Sequence, residues 1–529
     1  MKLPLVLGLD SSTQSLSAVV VDRQTARVVA TTAVSYASDP RLKGFGLDTD
    51  LMLLPPRHAG EADQPPLLFL ASLEALFADL NNAGVALGQI GLVNVSAQQH
   101  GHVYLSAGFA EALSGLRSAQ RTDLPLAELL KDVFSYARAP IWKTSDTVEE
   151  AETLRAAGGG TAGMIARTGS DSPLRFTGAV ARKVFVREAG VWQSTARLHL
   201  LSSFIPAVLT GRPDVPADWG NGSGTSLMDY GTRDWDPGLL AAAAKGLPGG
   251  ADGLKAKLTP VADPLSLAGT VAAWFVRKYG FSAEARVLIG SGDNPQSKVL
   301  VDGDLLSLGT SFVMMVAGEG QVDGRGWGNA MYDGVGRPFL FGCRTNGALV
   351  WDGLRKRAGL GGKDFAVAEA ALDVAAPGSR LGLWQPENES FPPSPVLPLT
   401  VEGDDSFGAA YPACVDSALG LLYRGSAPWL AGRSAPLAVT GGPTASPGIL
   451  RRIAAIWNRP VVTIGTTGAA LGAAAAALAF DSVKTPLLPP SSPVEPRPAD
   501  VEALHRPGGY LDKIEEYLAQ AVQKAGGSK

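Results

Sequence analysis

Short apolar runs separated by polar or glycine-rich tips recur along the whole chain. The runs 5–9 (LVLGL) and 16–22 (LSAVVVD) flank the polar 10–15 (DSSTQS), a pattern that predicts strand, tight turn, strand. Residues 67–84 (LLFLASLEALFADLNNAG) repeat apolar positions at helical spacing and end at Gly84, a glycine suited to a helix C-cap. Residues 90–101 (IGLVNVSAQQHG) read as a buried strand running into a polar tip. The stretch 145–160 (SDTVEEAETLRAAGGG) predicts a helix capped by its serine or aspartate and stopped by glycine, and 198–211 (LHLLSSFIPAVLTG) predicts an apolar helix. Strands alternating with helices indicate an α/β architecture.

The punctuation repeats past the middle. Residues 285–296 (ARVLIGSGDNPQ) predict a strand ending in a polar tip, and 302–320 predict strand, Gly-Thr-Ser turn, strand. The stretches 7–15 (LGLDSSTQS) and 306–312 (LSLGTSF) are two versions of one device, small hydroxyl residues on a turn between paired strands. Each lies near the start of one half, which points to duplication and to domains spanning 1–290 and 291–529. Residues 437–478 predict strand, glycine loop, helix, strand, glycine turn, helix. A Pro-rich surface connection (484–498) and a closing amphipathic helix (508–526) follow.

Composition narrows the function classes. With 529 residues the chain exceeds one core, and 46% hydrophobic with 18% charged residues is an ordinary globular balance. The formal charge is −4 without a basic block, so nucleic acid is not expected as a partner. Two cysteines and five histidines fall into no metal-ligand spacing. The apolar N-terminal run meets Asp10 before any cleavage signal, and the Ala-rich 468–480 is too short to span a bilayer. A cytoplasmic protein with no membrane partner is the expectation.

Hydroxyl-rich β-turns suit phosphate, because backbone N–H groups and Ser/Thr hydroxyls can surround an anion closely. No GxxxxGK[ST] loop is present. Asp10, beside the first turn, is placed to hold hydrated Mg²⁺, or else to make an Asx turn. Asp218 opens the run 218–230 (DWGNGSGTSLMDY), whose glycines and asparagine tolerate φ > 0 and allow a ligand close to the backbone. A plain Asx turn before a strand is the competing reading of that stretch.

The order of these motifs resembles the FGGY carbohydrate kinases. GLDSSTQSLSAVVVD (8–22) resembles their first phosphate motif, SLGTS (307–311) the second, and TGGPTAS (440–446) with GAALGAA (468–474) the adenosine motif. SAQQHG (96–101), IWKTSDT (141–147), TGSDSPLRFTG (168–178), the Asp218 run and GSGDNPQ (290–296) resemble xylulokinase signatures, with the longer, animal-type branch nearest. The resemblance covers about residues 5–480. It implies an α/β fold of two ribonuclease-H-like (actin–hexokinase–Hsp70 ATPase) domains flanking a central cleft. The first would carry the sugar site, the first phosphate motif and the catalytic Asp, and the second the other phosphate motif and the adenosine motif.

The implied activity is ATP- and Mg²⁺-dependent phosphorylation of D-xylulose at O5. A kinase for another pentulose or polyol (ribulose, L-xylulose, glycerol) and a catalytically silent sugar-binding regulator are the alternatives. Oligomeric state is left open, with a homodimer among the options. By resemblance Asp218 is the catalytic base and Asp10 the metal residue. Gln99, His100, Arg175, Asp293 and Asn294 contact the sugar. Thr13, Gln14, Gly309, Thr310 and Ser311 line the phosphates, and Gly441, Gly442 and Ser446 the adenosine. The chain departs from the family pattern at Ser12, Ser17, Pro443 and Ser446, where Gly, Lys or Asn is usual or the loop differs.

Overall fold

Five of the seven strands of the first sheet form its repeating part: β1 (Leu5–Ser11), β2 (Ser15–Asp22), β3 (Val28–Ser35), β4 (Ile90–Ala97) and β5 (Arg286–Leu288). They lie in the order β3-β2-β1-β4-β5, antiparallel through β1–β3 and parallel from β1 to β4 to β5. The second sheet carries β6 (Leu305–Leu308), β7 (Phe312–Ala317), β8 (Pro338–Arg344), β9 (Leu437–Thr440) and β10 (Val461–Thr463). Its order β8-β7-β6-β9-β10 repeats the first sheet's order and strand directions. The duplication suspected from two short turns is therefore a duplication of whole sheets. This computed structural model describes residues 2–320, 322, 325–361, 365–465, 468–483 and 491–526.

The chain forms two compact units. One comprises Met1–Leu300, Ala330–Pro338 and Thr467–Leu487, and the other Val301–Asn329, Phe339–Thr466 and Leu488–Lys529. The first unit is thus completed by two later returns of the chain.

Small residues set the packing that frames the first unit's strand ends. A Cβ at Gly8 would lie 2.0 Å from the Ala470 carbonyl oxygen, so glycine in β1 lets helix Gly468–Phe480 rest directly on the sheet. A Cβ at Gly472 would lie 1.9 Å from the Gln296 carbonyl oxygen, so the same helix also lies against Asp293–Val299. The alanines of that helix are buried (Ala473, Ala474, Ala476 and Ala477), which is why so apolar a segment needs no bilayer. Among the described residues no helix is long and apolar enough to cross a membrane. The core beneath the sheet is conventional, with Leu7, Leu9, Val93, Val95, Phe69 and Phe77 packed together.

Several local expectations are corrected. The helix read from 145–160 begins at Val148 after Thr147, neither Ser145 nor Asp146 being its N-cap. Thr147 makes no capping bond, because its hydroxyl donates to the Leu174 carbonyl. Residues 198–200 belong to strand Arg197–Leu200, and the apolar helix runs from Leu201 to Thr210. The strand from 285 stops at Leu288; Ser291–Gly292 pair with the end of β4, and Asp293 already opens a helix. Of the Pro-rich connection, residues 484–490 lie outside the described residues, as do Thr466 and Thr467 of the glycine turn.

In the Asp218 run the residue with φ > 0 is Ser226 rather than a glycine, and the run is not a plain turn before a strand. Asp218 caps the one-turn helix Trp219–Gly222, which passes into the 3-10 turn Ser223–Thr225. Gly220, Gly222 and Gly224 all keep negative φ. What requires glycine is space. A Cβ at Gly220 would meet the Tyr332 carbonyl oxygen at 2.6 Å and Asp218 Oδ2 at 2.8 Å, and one at Gly224 would meet the His100 ring at 2.7 Å.

Candidate active site

β1 and β4 end side by side, and their last residues hold the first carboxylate. Asp10 is in register with Ser96, whose hydroxyl donates to Asp10 Oδ1 at 2.7 Å. Ser291 sits beside Ser96 on the next strand segment and donates to Asp218 Oδ2 at 2.5 Å. Adjacent serines thus orient two carboxylates that lie 208 residues apart in sequence (218 − 10). Neither serine was singled out from the sequence. The available signal was a small hydroxyl residue opening SAQQHG and another inside GSGDN, each at a strand end.

Asp218 is completely buried. Desolvation raises its pKa from the ordinary 3.8 to about 7, against the opposing effect of bonds from Ser291 and from the N–H groups of Asn221 and Gly220. The Gly220 bond is 2.8 Å long, and those from Asn221 are 3.3 Å. Asp10 and Asp293 keep part of their surface yet lie deep enough for desolvation to raise them to about 6 and about 7. The negative charge of Asp10 adds to the rise at Asp293, so these two carboxyls lie within electrostatic reach of each other.

Past β4 the tip Gln98–Gln99–His100 sends its side chains to different partners. Gln98 faces the first turn: it accepts from Thr13 Oγ1 at 3.1 Å and donates to Gln64 Oε1 at 2.7 Å. Gln64 closes the ring by donating to the Thr13 carbonyl at 2.9 Å, and the Trp142 indole donates to Thr13 Oγ1 at 2.9 Å. The Thr13 side chain is therefore occupied in fixing the turn. Gln14 at the tip is exposed.

Gln99 faces the other way. Its N–H donates to Asp293 Oδ1 at 3.3 Å, and its Oε1 accepts from Asn294 Nδ2 at 3.0 Å. His100 adopts φ +67°, stacks on Phe176 with centroids 4.5 Å apart, and is pushed down to about 3 by burial and by the neighbouring Arg175 charge. Its Nδ1 lies 2.8 Å from the Gly224 carbonyl, which can only accept. The neutral ring therefore carries its proton on Nδ1 and presents Nε2 as an acceptor. The Arg175 guanidinium lies 5.9 Å from the Phe176 ring centroid. Gln99, Asp293 and Asn294 are thus joined by hydrogen bonds, His100 follows Gln99 in the chain and shares Phe176 with Arg175, and Asp218 is reached through Ser291 two residues before Asp293.

The second unit repeats the turn device with different detail. Gly309 N donates to the Ser311 carbonyl at 3.0 Å, leaving Gly309 and Thr310 exposed at the tip. Gly441 has φ +109°, and a Cβ there would lie 2.0 Å from the Leu308 carbonyl oxygen, so no other residue fits beside β6. Gly442 starts the 3-10 turn that leads to Ser446. The Ser446 hydroxyl caps helix Pro447–Trp457 through the Ile449 N–H at 3.1 Å and donates to Glu369.

Two units with the sheet order 3-2-1-4-5 and a polar turn between the first two strands define the two-domain actin-like ATPase fold. No protein-family model matches the chain. It is 31% identical over 507 residues to xylulose kinase 2 of Arabidopsis thaliana, covering 89% of this chain and 87% of that relative. It is 28% identical over 482 residues to the xylulose kinase of Rattus norvegicus, covering 88% and 86%. The crystal structure of ligand-bound xylulose kinase from Lactobacillus acidophilus aligns over 98% of this chain and 99% of that one, with TM-score 0.78 and 18% identity, a likeness of fold. The chain belongs to the xylulose kinase family of FGGY carbohydrate kinases.

Proposed function

We propose that the protein transfers the γ-phosphoryl group of ATP to O5 of D-xylulose, giving D-xylulose 5-phosphate and ADP, with Asp218 as general base. The observation that supports this best is a wholly buried carboxyl held by three donors with its pKa at about 7. A base poised near the working pH takes a proton efficiently while still being mostly ionised just above it. In the step, O5 bonds to the γ-phosphorus, its proton passes to Asp218, and the bond from the γ-phosphorus to the bridging oxygen breaks to release ADP. Positioning carries most of such a reaction, because phosphoryl transfer needs little covalent help.

Gln99, His100, Arg175, Asp293 and Asn294 would hold the sugar. His100 Nε2 accepts from one hydroxyl, and the Asp293–Asn294 pair offers an acceptor and a donor to neighbouring ones. Thr13 and Gln14 would meet phosphate through backbone N–H groups, since the Thr13 hydroxyl is already bonded on both sides. Gly309, Thr310 and Ser311 would line the phosphates from the second unit's turn, and Gly441, Gly442 and Ser446 would receive the adenosine.

Asp10 would hold Mg²⁺. The fit rests on a carboxylate that accepts one hydroxyl bond, from Ser96, among the described residues, and on its negative charge acting on the neighbouring Asp293. Among the described residues no group of three or more His, Cys, Asp or Glu forms a metal cage, which suits an ion that keeps most of its waters. Bound there, Mg²⁺ would offset phosphate charge.

A panel of D-xylulose, D-ribulose, L-xylulose and glycerol, read by coupled ADP release, tests the substrate. Glycerol leaves several buried polar groups unpaired, so D-xylulose should exceed it by orders of magnitude in kcat/KM. D-ribulose differs at one carbon and should lose about 1–3 kcal/mol, the cost of one unmade hydrogen bond. A win for glycerol or L-xylulose refutes the substrate.

A further inference from the structure

Two side chains beside the Asp218 loop have polar atoms that the described fold leaves unused. Gln99 is 4% and Asn221 3% exposed, and Gln99 Nε2 and Asn221 Oδ1 have no hydrogen-bond partner among the described residues. Their other ends are anchored. Gln99 Oε1 accepts from Asn294, and Asn221 Nδ2 donates to Ser202 Oγ. Asn294 also donates to the Asp293 carboxylate, which fixes the Gln99 amide, and with Asn221 Nδ2 given to the Ser202 hydroxyl the unused pair is one donor and one acceptor.

Both amides converge over Gly292. A Cβ at that position would lie 2.4 Å from Gln99 Cγ, 3.0 Å from Gln99 Cδ and 2.9 Å from Asn221 Oδ1, so both side chains press against this glycine. A Cβ at Gly224 would lie 2.9 Å from His100 Nδ1 and 3.9 Å from Gln99 Nε2, which puts the histidine in the same neighbourhood. Leaving a buried amide N–H and a buried C=O unbonded costs stability at each atom. Ser226 Oγ farther along the loop is also unbonded, but only Gln99 and Asn221 offer a donor and an acceptor against one glycine, a pairing that a ligand can complete.

We propose that Gln99 Nε2 and Asn221 Oδ1 form a subsite for a single sugar hydroxyl, which accepts from the glutamine and donates to the asparagine. Asn221 is thereby a specificity-determining residue, a role additional to its backbone contact with Asp218. The inference rests on the sugar-kinase reading above and adds what reads one hydroxyl. A hydroxyl is the group this pair fits, since it alone among sugar functions donates and accepts at one atom. A carbonyl at the same place satisfies Gln99 and leaves Asn221 unbonded.

The test uses the full chain and D-xylulose analogues lacking one hydroxyl at a time (1-deoxy, 3-deoxy and 4-deoxy). Wild-type kcat/KM should fall about 10-fold or more for one of them, the scale of a lost buried hydrogen bond. Asn221→Ala and Gln99→Ala should each lower kcat/KM for D-xylulose about 10-fold. The double variant should fall little further than the weaker single variant, because both side chains serve one hydroxyl. With the sensitive analogue all variants should match wild type, whereas with the other analogues they should keep their deficit. A merely structural role would give the same deficit with every analogue, and that outcome overturns the proposal, as does an unchanged kcat/KM in Asn221→Ala. Asn221→Ser supplies a smaller perturbation should the alanine variants melt early, and the wild-type analogue panel needs no variant: equal use of all three analogues also overturns it. If wild type favours a different polyol, the substrate reading has failed separately, and the same paired losses are read with deoxy forms of that polyol.

Discussion

Asp218→Asn separates chemistry from stability at one atom. The carboxyl accepts at Oδ2 from Ser291, Gly220 and Asn221, and at Oδ1 only from Asn221 at 3.3 Å. An asparagine whose oxygen takes the Oδ2 place keeps every short bond and gives up one long contact. What changes is the charge. Burial raises the folded-state pKa from 3.8 to about 7, so the folded chain holds this proton over a pH range in which the unfolded chain has released it.

The sign follows directly. Below pH 4 the carboxyl is protonated in both states and contributes no pH dependence. Between about pH 4 and 7 the unfolded state binds fewer protons, so wild-type stability falls as pH rises, and above about pH 7 the loss is complete. A difference of roughly 3 units at 1.36 kcal/mol each gives a ceiling of about 4 kcal/mol. The Asn variant escapes this loss. Thermal melts at pH 4 should therefore coincide, while at pH 8–9 the variant should melt several degrees higher than wild type. Its kinase rate should nevertheless drop by about 10²–10⁴, the usual worth of a general base. D-xylulose should still raise its melting temperature. Parallel melting curves from pH 4 to 9 would refute the burial argument, and near-normal kcat would refute the assignment of the base.

Ser291→Ala removes a bond that favours ionised Asp218, so the acid limb of kcat/KM should move to higher pH; an unmoved limb shows that Ser291 does not tune the base. Asp10→Ala should abolish kinase turnover and slow ATP hydrolysis together while D-xylulose still protects against melting, and unchanged Mg²⁺ dependence would show that the ion is held elsewhere.

Much of this molecule was readable along the chain because short-range pattern sets local structure. Apolar alternation located β1, β2, β6 and β7 and the polar turns between them, and small residues flagged the helix at Gly468–Phe480 as packed against protein. Motif order proposed which polar residues belong to a sugar site, and of these Gln99, Asp293 and Asn294 are hydrogen-bonded to one another. Other properties depend on partners distant in sequence, and pattern does not encode them. The glycines after Asp218 looked chosen for φ > 0, yet they keep negative φ and are small because Tyr332, Met228 and His100 press on them. Ser96 and Ser291 became visible only when strand register set them side by side, and Ser291 reaches Asp218 across 73 residues. Identity as a carboxylate is a property of residue 218 alone. Its proton affinity is a property of the enclosure, since desolvation and donor placement exist only once the fold has closed around it.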